Sequence, residues 1–558
     1  MRRDGGILLR QVRHELVSLR RNPVTLILSI GFPLLFFILI AALVGNKTMD
    51  SRNGIRLAQF LAPAFASFGV VMATFSFLAF GFAVARSAGV LKRQNGTPLQ
   101  PWALLGGRMG AALILGVTAT VLVIATGVVF YDVQLFARTL PAVIVTLVLS
   151  AATFSALGLA AAVLLPTPQA TLAVTNGIVI PLSFFSDIFM FSGSPPAWMS
   201  TLGWVFPLKH LVNLFGDALN PRLTGNGFQL DHLAAILAWG VAGALVAAWG
   251  LRRERDRATS TSRRPHRRTP AADATPRRTT SPSALALVGG QIGHANTVLW
   301  RDSSSVFFAV VFPVLLVAII PTVNGGGDVV MSSGQMLGAF FAATMAVYGA
   351  AVTAYVNMPQ GLAEARELGV LKRVHGSPLP TLAMLVGRVA AALVVALLTL
   401  AAIYTLAGFM YGVGIPPAWP AMLLTFVAAT ICFAVLGLAV MSLIRSAEAV
   451  IGVALGTLLP LCFISDVFVN GATFPPWLDH ISWFFPLRHA TGAMTTAAST
   501  NVVGSGLSWD HLGALLAWTL AGLIVVAWRF SWVNLESGRR RRSAKPGVAP
   551  LAQGRAAG

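Results

Sequence analysis

The residues best suited to chemistry in this chain are charged ones that occur twice in the same short frame. GVLKRQNGTPLQ begins at Gly89 and GVLKRVHGSPLP at Gly369; eight of twelve positions are identical and the starts lie 369 − 89 = 280 residues apart. Each frame holds adjacent cations, Lys92 and Arg93 or Lys372 and Arg373, followed by a glycine and a proline. Arg86 stands just ahead of the first frame, and Glu364, Arg366 and Glu367 ahead of the second. Such residues dock: they pair charges with a protein partner or with anionic lipid. They are not a nucleophile with its base. No G-x-x-x-x-G-K-[ST] phosphate loop and no H-E-x-x-H pattern occurs, no Ser/His/Asp set appears, and no metal site is expected. His375 reads as a surface residue. Cys432 and Cys462 fall inside expected helices and read as small packing residues rather than a disulfide or metal knuckle.

The elements that position these charges are apolar. Of 558 residues, 56% are hydrophobic and 11% charged, against about 25% charged in a soluble domain; mean hydropathy is +0.75. Apolar runs of about 20 residues recur, each long enough to cross a bilayer. The expectation is an all-α polytopic membrane protein. The net charge of +21 comes from the N-terminal arm (Arg2, Arg3, Arg10, Arg13, Arg20, Arg21), a central linker and Arg539–Arg542. Those are flanks of spanning segments, so no nucleic-acid partner is expected. The first apolar run is too long for a cleavable signal and reads as the first span.

The repeat extends through both halves. His14 matches His294 and Arg108 matches Arg388; SFFSDIF at 183–189 matches CFISDVF at 462–468, and DHLAAILAW at 231–239 matches DHLGALLAW at 510–518. Residues 1–251 and 285–535 therefore read as two parallel six-helix repeats, twelve spans in all. The expected spans are 24–44, 58–84, 102–130, 141–165, 170–190 and 232–251, then 305–322, 335–359, 382–411, 420–443, 448–468 and 510–530. Between the halves, 252–284 is rich in Arg, Ser, Thr and Pro and reads as a disordered basic linker; 536–558 reads as a basic tail. An even span count puts both termini and the linker on one side, and their arginines make that side cytoplasmic. Both frames then face the cytoplasm. Gly96 permits a turn, Thr97 is placed to cap the third span with Pro98 at its first position, and Ser377 with Pro378 repeats the device.

With these motifs in place, the chain resembles the permease subunits of ABC-2 type transporters, the type V ABC exporter fold. The resemblance covers nearly all of both halves. It implies that each frame is a cytoplasmic coupling helix inserted into an ATPase subunit, with Arg86, Lys92, Arg93, Glu364, Arg366, Glu367, Lys372 and Arg373 as coupling residues. The second frame carries the family's Glu-rich entry, EARELGVLKR; the first has Val84 and Ser87 at the acidic positions, so the second half is expected to make the stronger charged contacts. The amphipathic stretches RHELVSLRRNPVT and GHANTVLWRDSSS resemble the family's interfacial helix. The Trp- and Pro-rich segments after span five resemble extracellular re-entrant helices.

The same resemblance places the pathway on spans two and five. Its candidates are Gln59, Phe65, Phe68, Met72, Phe75, Asn176 and Ser183 in the first half, and Gln335, Phe341, Met345, Tyr348, Tyr355 and Asn357 in the second. Candidates for an outer gate are Asp187, Trp204, Phe206, Asp466, Trp483 and Phe485; the two aspartates also stand where they would cap a helix or pair with Lys209 and Arg488. A wall of Phe and Met with a few amides suits a hydrophobic or amphipathic solute. The expectation is an exporter permease of the antibiotic or multidrug efflux type in a bacterial plasma membrane. The chain is not itself an enzyme; ATP and Mg would sit on a partner ATPase, present as two copies or a heterodimer. Export of a lipid or glycan precursor is the alternative within the class, and a proton-coupled carrier lies outside it.

Overall fold

The computed structural model of the chain describes residues 2–20, 23–49, 54–94, 100–189, 196–261, 284–331, 334–376, 379–468, 475–501 and 504–530. Thr97, Pro98, Ser377, Pro378, most of the linker and the tail beyond 530 lie outside the described residues.

The first half begins with an arm helix, α1 (Arg2–Arg20), then α2 (23–44), α3 (Leu57–Ser87), the short α4 (Val90–Gln94), α5 (Pro101–Tyr131), α6 (Leu140–Leu164) and α7 (Pro168–Phe185). Two shorter helices follow, α8 (Ala197–Gly203) and α9 (Pro207–Ala218), before α10 (Leu230–Thr261). The second half repeats the order: α11 (Ala284–Arg301), α12 (Ser303–Val323), α13 (Leu337–Glu367), α14 (Val370–His375), α15 (Thr381–Tyr411), α16 (Trp419–Leu443), α17 (Ala447–Ile464), α18 (Pro476–Phe484), α19 (Pro486–Ala498) and α20 (Trp509–Arg529). The bounds of α3 and α13, and of α5 and α15, differ by 280 at both ends; those of α6 and α16, and α7 and α17, by 279. A two-residue ladder, Thr48–Met49 with Ile55–Arg56, closes the α2–α3 turn.

Among the described residues, ten helices are long and apolar enough to cross a membrane. The other two expected spans are present as helices α2 and α7; α2 holds the shorter apolar stretch Ser29–Ala42. Two boundaries differ from expectation. α10 runs on to Thr261, ten residues past 251, because its polar continuation is as helix-compatible as it is soluble. The third spans start later than a Thr97 or Ser377 cap would place them, with Gln100 and Pro380 at the N-cap.

α3 and α13 are the most enclosed elements. Every residue in the apolar window of α13 is buried, which only an all-round apolar helix tolerates. Both contain a π-helical turn, Met72–Phe77 and Val352–Asn357, and so do the first spans at Ile27–Gly31 and Phe307–Val311. A π turn swings a carbonyl out of the ladder. The glycines opposite accommodate it: a Cβ on Gly158 would lie 2.7 Å from the Phe75 carbonyl oxygen, and one on Gly437 2.8 Å from that of Ala354. The arms use the same kind of contact. A Cβ on Gly107 would meet Gln11 at 2.6 Å, and one on Gly387 would meet Gln291 at 2.5 Å. Close backbone approach replaces the hydrophobic driving force that lipid cannot supply.

Candidate functional site

A cavity of about 1260 Å³ lies where the halves meet. α2, α3 and α7 line it from one side and α11, α12, α13, α15 and α17 from the other. Its walls are aromatic and aliphatic. At one end it is lined by Arg301, Asp302, Glu364, Glu367 and Glu448, next to the arms and short helices; Arg301 and the three glutamates are exposed, so the cavity opens on that face.

Six of the expected pathway residues line it: Phe68, Met72, Asn176, Phe341, Tyr348 and Asn357. The others do not. Gln59 is a tie at the opposite face: its amide nitrogen donates to the Gln134 carbonyl (3.1 Å) and to that of Leu219, and its oxygen accepts from the Gln134 N–H (2.7 Å). Gln335 donates to the Thr495 carbonyl at 3.4 Å. Ser183 donates to its own helix at Val179, 2.7 Å away, and Tyr355 shares a hydrogen bond with Thr457 at 2.9 Å. Phe65, Phe75 and Met345 are buried in the helix packing behind the wall. The first spans, which were not expected to contribute, supply Phe32, Phe36, Phe308, Phe312 and Leu316. Their uniform apolarity hides which face meets the partner half.

Deep in the cavity rings from both halves meet; beyond them Ile40, Ile320, Val323, Asn324 and Leu337 still line it, and Asn324 is exposed. Phe36 meets Phe463 edge-on at 4.3 Å; Phe189 lies 5.4 Å from Phe68, and Phe468 lies 5.4 Å from Tyr348. Phe189 and Phe468 are placed by the two aspartates. Asp187 (φ 63) and Asp466 (φ 55) occupy the left-handed position just past α7 and α17. Ile188 then donates to the Ser183 carbonyl and Val467 to that of Cys462, the six-residue bond that ends a helix and turns the chain. Glycine is usual there, and a side chain in that conformation costs about 1 kcal/mol. A carboxylate offsets the cost with an ion pair: Asp187 lies 3.6 Å from Lys209, and Asp466 bonds Arg488.

The aromatic gate candidates do other work. Trp204 stacks on His232 and Trp483 on His511; Phe206 and Phe485 stack on Trp239 and Trp518. None of these four lines the cavity. The rings that meet inside it, Phe36, Phe189, Phe463 and Phe468, were not among the candidates; the repeated S-D-[IV]-F was the available signal for two of them.

At the open end, α4 and α14 each follow a glycine at positive φ, Gly89 at 68 and Gly369 at 71. Leu371 is buried and anchors α14, while Arg93, Lys372 and Arg373 are exposed; α4 carries Lys92, whose side chain lies outside the described residues. Arg86 and Arg366 differ from expectation. Arg86 donates to the carbonyls of Ala162 and Leu165, and Arg366 to those of Met441, Ile444 and Arg445. Each satisfies the orphan carbonyls at the end of α6 or α16, so neither is free for a partner. Glu367 accepts from the Ala447 N–H at 2.8 Å, at the start of α17. Glu364, exposed, accepts only from Gln360 among the described residues.

The ABC-2 type transporter family matches residues 9–219 and 294–498, one match per half. The inner membrane transport permease YadH of Escherichia coli K12 is 25% identical over 182 residues, which is 32% of this chain and 70% of that protein. The proteins of the same name from Escherichia coli O157:H7 and Shigella flexneri match to the same extent.

Proposed function

The chain belongs to the ABC-2 type transporter family, a multi-pass inner membrane transport permease of double length, and we propose that it is the permease subunit of an ATP-driven exporter. It moves hydrophobic or amphipathic small molecules of the antibiotic or multidrug type out of the cytoplasm or inner leaflet by alternating access. The supporting observation is the cavity between the halves: its walls are largely apolar, it opens where the arms and short helices lie, and Phe36, Phe189, Phe463 and Phe468 meet within it. In this reading those rings are the outer constriction of an inward-facing state. Twelve spans, with both termini and the linker in the cytoplasm of a bacterial cell, put the open end inside.

Members of this family are membrane components rather than ATPases and work with an ATPase partner. In this reading α4 and α14 dock on two ATPase sites, where ATP and Mg bind. Closing of the ATPase pair pushes the short helices, and the movement reaches the ring constriction through α3 and α13, which join both ends. An aromatic wall also suits a lipid tail, whereas a glycan would need a polar one.

The test is co-purification with the ATPase encoded beside this chain, followed by hydrolysis assays with hydrophobic drugs. A stable complex with drug-stimulated hydrolysis is expected. Transport that instead follows a proton gradient without an ATPase would replace this reading with a secondary carrier.

A further inference from the structure

The third spans of the two halves carry an arginine at matching positions, Arg108 and Arg388, with different surroundings. Arg108 donates from Nε to Glu15 on the arm at 3.2 Å, and its guanidinium lies over the Phe82 ring at 5.5 Å. At the matching positions the second half has Ala295 for Glu15 and Leu362 for Phe82. Both partners are gone, and the cation remains. Arg388 lines the cavity together with Ala295, Ala391 and Ala392; its Nε is buried without a hydrogen-bond partner, and no carboxylate pairs with it among the described residues. Of the acids near the open end, Glu448 makes no ion pair with Arg388, and the other three are engaged elsewhere. Asp302 accepts from Ser304 and Ser305, Glu367 from Ala447, and Glu364 from Gln360.

A largely enclosed guanidinium without a counterion is unstable unless something supplies one. Arg388 sits about 10 Å along α15 from its open-side end, where charged headroom gives way to the rings of Phe308, Phe312 and Tyr348. From this juxtaposition we propose that Arg388 binds the oxyanion of an acidic amphiphile (a carboxylate, sulfonate or phosphate) whose apolar body lies along those rings. The guanidinium presents its donors in a planar fork that fits such a group. The proposal rests on the cavity being the transport pathway and narrows its substrates to acids over their neutral analogues. A diffusible acid and the headgroup of an anionic phospholipid share this chemistry.

The test uses the full chain with its ATPase in phosphatidylcholine nanodiscs, with pyrenedodecanoic acid and its methyl ester as probes. The acid is expected to bind at least about tenfold more tightly, the lower range for a charge-assisted hydrogen bond. Arg388→Gln should abolish that preference and leave ester binding unchanged. Ala295→Glu should do the same while keeping the arginine, because it rebuilds the pair the first half already folds with. In phosphatidylglycerol nanodiscs, a surviving preference identifies the diffusible acid as occupant, and a lost one identifies the lipid headgroup. Equal binding of acid and ester in phosphatidylcholine, or a preference that survives both variants, overturns the proposal and leaves the pathway reading standing. Binding of neither probe overturns the pathway reading and the proposal with it.

Discussion

The two halves repeat the same helices, with identical lengths in α3/α13, α5/α15, α6/α16 and α7/α17, and differ where the cavity opens. α3 and α13 have the same length, the same π turn and the same arginine capping the fourth span. Their cavity-side chemistry has diverged. Phe77 and Phe80 of the first half stand where the second has Asn357 and Gln360; Val84 and Ser87 stand where it has Glu364 and Glu367. Arg108 is paired and Arg388 is not. A duplicated scaffold can hold its packing in both copies while polar work moves to one. The rings deep in the cavity show the limit of this divergence. Phe68 against Phe189 and Tyr348 against Phe468 keep the same 5.4 Å spacing in both copies.

The sharpest way to break the comparison is at the arms. Glu15→Ala would give the first half the second half's vacancy and leave Arg108, which is 10% exposed, without its acid. A lowered stability of about 3 kcal/mol is expected, since the stranded charge keeps its burial. Thermal melting of the purified complex reads it. An unchanged melting temperature would mean that the first-half pair carries no more weight than an exposed one.

The next effect should be equal between halves. Gly158→Ala and Gly437→Ala each put a methyl against a π-turn carbonyl at under 3 Å, and each is expected to cost about 1–3 kcal/mol. Unequal losses would show that one π turn yields and the other does not. That would separate the halves in rigidity as well as in charge.

Coupling should then separate them. Glu364 is exposed at the open end and its first-half counterpart is Val84. Glu364→Gln is expected to lower substrate moved per ATP several-fold, on the order of one lost charged contact, while Ser87→Ala leaves that ratio unchanged. Glu367→Gln should act less than Glu364→Gln, because an amide oxygen still accepts from Ala447. Equal effects of Glu364→Gln and Ser87→Ala would sink the asymmetry.

The parts of this arrangement that depend on length and apolarity were legible in the sequence. The repeat, the order of the helices and the two short cationic helices follow from runs of about 20 apolar residues and a 280-residue offset. What could not be read depends on where helices end against one another. Arg86 and Arg366 look like positive-inside cations until the last carbonyls of α6 and α16 are seen beside them. Gln59 looks like a pathway amide until the Gln134 and Leu219 carbonyls appear. α2 and α12 are apolar all round, so periodicity could not say that Phe36 and Phe312 face the cavity. The aspartates were legible as charge but not as turn. Their left-handed backbone, which aims Phe189 and Phe468, carries no compositional mark.

The smallest expected effect concerns the far face, where the halves again agree. His210 meets His232 Nδ1 to Nδ1 at 3.1 Å, and His489 meets His511 at 3.0 Å. Nε2 of His210 faces the Trp204 carbonyl and Nε2 of His489 that of Trp483, so each must donate there and accept at Nδ1. In the first pair the chain of bonds holds only while His210 is neutral; a proton on Nδ1 would set two donors head to head. Burial pushes His210 below its ordinary value of 6.5; His232 adds to this, and the Trp204 carbonyl and Asp231 oppose it. A His with a depressed folded-state value stabilises the fold fully above its ordinary value, and the contribution is lost as pH falls through the folded value. The melting temperature should therefore fall by on the order of 1–2 °C more than the rest of the chain accounts for between about pH 7.5 and about pH 5. Fluorescence of Trp204, which stacks on His232, should change over the same interval. His210→Gln should remove both effects. A fall in melting temperature that survives His210→Gln would place its origin elsewhere in the chain and take the far face out of the comparison.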